Sequence, residues 1–226
     1  MDNIVLQPVF FIILLLILFF LSCQTTNEIF YFLRMFIKND STVFGLVTFF
    51  FLPGTILHEF SHFFMAIILF LPVHKIQILP EFEKNYIKLG KVLYEKKDVI
   101  RGVIVGIAPL LGAMLFFWFL SIFHLFPQQN IWLSILLGYV VFSVSTSMFS
   151  SKQDLIDLVY IIPFIALFWA IIYLFNINLS FIIQNRTFIR NIQEFFYNVR
   201  FYLVFSLIIH GIVIIVLKSL RTLINR

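Results

Sequence analysis

The chain is short of charge and of cysteine. Of its 226 residues only 12% are Asp, Glu, Lys or Arg, while 62% are hydrophobic and the mean hydropathy is +1.03. Soluble domains carry about a quarter charged residues. Water cannot solvate a surface this apolar, so lipid is the expected solvent. The single cysteine, Cys23, excludes an internal disulfide. No Lys or Arg precedes Arg34, which argues against the basic start of a secretory signal. The first apolar run therefore reads as a retained helix, although it ends in Phe-Leu-Ser-Cys. Sequence repeats and low-complexity segments are missing too. So is any basic–aromatic pattern suited to nucleic acid. The net charge of +5 gathers in loops beside apolar runs, as membrane orientation demands.

What is present is a series of apolar runs of about 18 to 25 residues, each long enough to cross a hydrocarbon core. Six stand out, at 4–21, 43–71, 103–126, 131–149, 156–175 and 201–217. The expected fold is an all-α polytopic membrane protein, one domain over residues 1–226, with about six transmembrane helices. The second run is too long for one straight span, since at about 1.5 Å per residue it would reach about 45 Å against a core of about 30 Å. Pro53-Gly54 lies inside it. Pro53 cannot donate to the carbonyl of Phe49, so a kink or break is expected there, with helix from Thr55 to Leu71 and an exit at Pro72.

Taking the second run as one crossing puts both termini on one face. That face then carries eleven Lys and Arg against five, so the positive-inside rule places it in the cytoplasm. The loop after Pro72 alternates Ile76 and Ile78 with Lys75 and Gln77, then Ile87 and Leu89 with Tyr86, Lys88 and Gly90. Period-two patterning around a polar turn predicts a β-hairpin at the cytoplasmic surface. Farther on, Phe188, Ile189, Ile192, Phe195 and Phe196 share one helical face, which predicts an amphipathic helix lying in the interface.

The chemistry concentrates in His58-Glu59-Phe60-Ser61-His62, an H-E-x-x-H pattern. On a helix the two histidines are one turn apart and share a face, so both imidazoles can hold one zinc ion while Glu59 reaches its water. A charged residue at the bilayer centre costs at least about 2.5–3.5 kcal/mol. Coordination explains why three ionisable groups stay there; a polar turn hydrogen-bonded to other helices is the plainer alternative. A catalytic zinc needs a third protein ligand. Ser143, Ser147, Ser150 and Asp154 are spaced 4, 3 and 4, one polar stripe if the helix continues. Asp154 is the expected ligand and Asp157 the runner-up; a helix cap or solvated carboxylate beside Lys152 is the alternative. His74 and His124 fall away from this depth. His210 falls mid-run, where a hydrogen-bonded interior histidine is the expectation.

On these residues the chain resembles the site-2 protease group of intramembrane zinc metalloproteases, and more narrowly the small bacterial zincin peptidases of the plasma membrane. The resemblance rests on "PGTILHEFSHFFMA" and "SMFSSKQDL", with "RGVIVGIAPLLGA" and the hairpin-like loop in support. It implies zinc held by His58, His62 and Asp154, Glu59 as the base, and a membrane-protein or peptide substrate. The L-D-G and Asn-x-x-P motifs of many site-2 proteases are missing, and the loops are too short for a PDZ-like domain. A non-catalytic zinc-binding scaffold or chaperone is the second reading, a transporter the third. Sequence leaves the oligomeric state open.

Overall fold

The computed structural model describes residues 2–77, 81–83, 86–88, 91–94, 98–149, 161–175 and 185–224. It is mostly helical. Helix α1 spans Asp2–Arg34, α2 Asp40–Phe50 and α3 Leu52–Ile68. Strands β1 (Val73–Gln77), β2 (Glu81–Glu83), β3 (Tyr86–Lys88) and β4 (Lys91–Tyr94) follow. Helix α4 is Val99–Ile122, α5 Ile131–Ser147, α6 Ile161–Leu174 and α7 Arg186–Ile224. Among the described residues three helical stretches are long and apolar enough to cross a membrane: Val9–Arg34, α4 and α7. The α2–α3 pair makes a fourth if it counts as one span, and α5 is a shorter apolar helix.

Helix α1 buries Phe11, Leu14, Leu18, Ser22, Thr25 and Glu28, a stripe at three- and four-residue spacing, and exposes Phe10, Ile13, Ile17 and Phe20. One face meets protein and the other is apolar enough to face lipid. Helix α7 buries Val199, Tyr202, Leu203, Ser206, His210 and Ile214 against it. Phe117 of α4 stacks on Tyr202 with ring centroids 5.5 Å apart and planes 9° apart. Helix α5 is central: every residue from Val141 to Met148 is buried. Its hydroxyls therefore turn onto carbonyls, Ser145 and Thr146 both onto Phe142 and Ser147 onto Ser143.

The polar caps follow from sequence. The Asn39, Asp98 and Asn130 side chains accept from the first backbone amides of α2, α4 and α5. The break expected at Pro53 is there: α2 and α3 meet at Phe51 with a bend of 74°, and Pro53 sits in the first turn of α3, where its missing N–H costs nothing. Helix α3 stops before Pro72. The Leu71 amide donates to the Ala66 carbonyl and the Phe70 amide to Ile67, with Phe70 at φ 54°, a Schellman ending built on a phenylalanine.

Two expectations shift. The first run extends to Arg34, a 33-residue helix. The stretch expected as a separate interfacial helix is instead the first part of α7, which runs unbroken for 39 residues. Asn185 starts it by accepting from the Phe188 amide, and neither Pro nor Gly intervenes before Gly211. In the loop region β1 pairs antiparallel with β4 and β2 with β3.

Candidate metal centre

Helix α3 presents two faces. Phe60, Phe64, Ile67 and Ile68 are exposed, while Gly54, His58, Glu59 and Ala66 are buried. His58 and Glu59 are only 4% and 6% exposed. The inward face is held by contacts from two helices. On α5, the Ser143 hydroxyl accepts from the Gly54 amide at 2.9 Å and donates to the Phe51 carbonyl at 3.1 Å. A Cβ on Gly54 would overlap the Ser143 carbonyl and the Ser147 hydroxyl, so glycine is what lets α3 and α5 approach. On α4, Gly112 leaves room for Ser61 in the same way. Arg101 donates to the Leu69 carbonyl at 3.2 Å, tying the end of α3 to the start of α4.

The two imidazoles come together as their spacing requires. His58 Nε2 and His62 Nε2 lie 3.2 Å apart. The ring centroids are 4.8 Å apart with planes at 84°, an edge-on contact, and the nitrogen separation is also that of a hydrogen bond between the rings. Zinc–nitrogen bonds of 2.0–2.1 Å at a tetrahedral angle separate two ligand nitrogens by about 3.3 Å. The pair therefore fits one tetrahedral ion. His62 Nδ1 lies 2.8 Å from the Val105 carbonyl oxygen. A carbonyl can only accept, so Nδ1 carries the proton, and the opposite ring nitrogen, Nε2, is the one that faces His58. The Nδ1 bond is the second contact which ligating histidines characteristically make.

The Val105 carbonyl is available for a reason that sequence reading missed. In an α-helix the oxygen of residue 105 accepts from the amide of residue 109. Residue 109 is proline, buried inside α4, and has no amide proton. A fully buried backbone acceptor needs another donor, and His62 provides it. The signal was a proline inside "RGVIVGIAPLLGA", which frees the carbonyl four residues before it.

Among the described residues no three His, Cys, Asp or Glu side chains gather as a metal group. Asp154 and Asp157, the expected third ligand and its runner-up, lie outside the described residues, as does Ser150. The part of their polar stripe that is described, Ser143 and Ser147, meets Gly54 at the start of the motif helix. The other histidines lie elsewhere. His74 is on β1, and His124 is exposed beyond the end of α4. His210 is fully buried, with Nδ1 2.8 Å from Thr25 Oγ1 and Nε2 3.2 Å from Ser145 Oγ. It is the hydrogen-bonded interior histidine that its position suggested.

No family model, no curated protein and no solved structure matches the chain.

Proposed function

We propose that this chain is an intramembrane zinc metalloprotease of the plasma membrane, cutting membrane-protein or peptide substrates. The observation that carries the reading is the pair of Nε2 atoms 3.2 Å apart on α3, one ring held through its other nitrogen by the Val105 carbonyl. His58 and His62 would hold the ion, with Asp154 as the third ligand. Six membrane-embedded segments surround the site in this reading. The strands β1–β4 form one hairpin on the cytoplasmic side, whose edge accepts an unwound substrate segment as an added strand.

A zinc ion held by these residues would supply an acidified water and polarise a peptide carbonyl. Glu59 follows His58 directly and is buried beside it. It takes a proton during attack on the scissile carbonyl and gives it to the leaving amine. The buried inward face of α3 keeps bulk water from this carboxylate, which strengthens each charge interaction there. The lipid-compatible outer face of the same helix keeps the site at membrane depth.

Incubating the detergent-purified protein with a library of transmembrane peptides, with zinc and with a chelator, tests the activity. Cleavage should require zinc and should vanish in Glu59→Gln. A wild type that retains zinc and cleaves nothing would make the chain a zinc-binding scaffold.

A further inference from the structure

We propose that Pro109 is a positioning residue for the two-histidine site, an inference that rests on the metal reading above. By withholding an amide proton from the Val105 carbonyl, it reserves that oxygen for His62 Nδ1–H. Three observations meet here. Pro109 lies inside an otherwise continuous α4. Val105 is fully buried, so water does not compete for its carbonyl. His62 Nδ1 sits 2.8 Å from it, with the opposite ring nitrogen 3.2 Å from His58 Nε2. Proline in a helix interior is ordinarily destabilising, and its persistence at this position acquires a purpose: it converts a structural acceptor into one that sets an imidazole tautomer.

Pro109→Ala restores the amide. The residue 109 N–H then closes the normal helical bond to Val105 and competes with His62. Because alanine is the better helix former, the thermal midpoint should stay level or rise. Zinc affinity should fall by about 10–100-fold, the usual effect of losing an outer hydrogen bond to a ligating histidine. Unchanged zinc affinity would overturn the proposal, and so would a joint fall of affinity and thermal midpoint, which marks simple packing. Nitrogen NMR of histidine-labelled apo protein, at a pH where imidazoles are neutral, reads the same link without metal. His62 should be a single Nδ1–H tautomer in the wild type and a mixture in Pro109→Ala. If the wild type binds no zinc, the protease reading fails while this spectrum still decides the Pro109–Val105–His62 link; a mixed His62 tautomer in the wild type would refute that link.

Discussion

Replacing Gly54 by alanine sets two effects against each other whose sizes decide the outcome. In a helix interior, glycine to alanine gains up to about 1 kcal/mol in propensity. At Gly54, however, the added methyl overlaps the Ser143 carbonyl and the Ser147 hydroxyl. The carbonyl is backbone within the continuously buried stretch 141–148 of α5, so α3 must move instead. Overpacking of that kind costs about 1–3 kcal/mol. The displaced Gly54 amide also loses its 2.9 Å bond to Ser143, worth about 1 kcal/mol. The net expectation is a loss of about 1–3 kcal/mol, or about 2–12 °C in thermal midpoint for a chain of this size. Gly211→Ala is the matched control. Gly211 lies within α7 and a Cβ there meets nothing within 4 Å, so only the propensity gain remains and the midpoint should rise. Thermal unfolding of both variants in the same detergent is the assay. If Gly54→Ala is as stable as Gly211→Ala, the close approach of α3 and α5 is not as described.

His210→Ala should destabilise by about 2–4 kcal/mol, since it leaves Thr25 and Ser145 without their shared partner and opens space between α1, α5 and α7. Chemical denaturation measures this, and zinc content should not change. Phe70→Gly should stabilise by about 1 kcal/mol, because Phe70 adopts φ 54° and is 87% exposed, so glycine relieves backbone crowding and gives up little burial; a lowered thermal midpoint would refute this. Glu59→Gln should keep its zinc, since the proposed mechanism makes the carboxylate the base rather than a ligand; metal analysis beside the cleavage assay separates those roles.

Side-chain spacing made much of the site legible. His58 and His62 share a face because a helix repeats every 3.6 residues, and the break near Pro53 follows from one missing amide. The buried role of His210 followed from a polar ring in an apolar run. Other features carried no such mark. Hydropathy marks residues 43–71 as one apolar run, but it says nothing of the angle at the break, which is 74° between α2 and α3. The stretch from Arg186 to Arg200 has the polarity of an interfacial helix, yet nothing in it breaks the backbone before α7 continues. The partner of His62 Nδ1 is a main-chain oxygen, and sequence names side chains. Only Pro109, four residues farther on, betrays that this oxygen is open. Whether the stripe from Ser143 ends in Asp154 as a ligand concerns residues outside those described.

Metal content tests the central claim most directly. Elemental analysis of the detergent-purified chain, after exchange against trace zinc, should give one zinc per chain in the wild type and in Glu59→Gln, and none in His58→Ala or His62→Ala. A wild type without bound divalent metal, or histidine variants that keep it, would contradict the account.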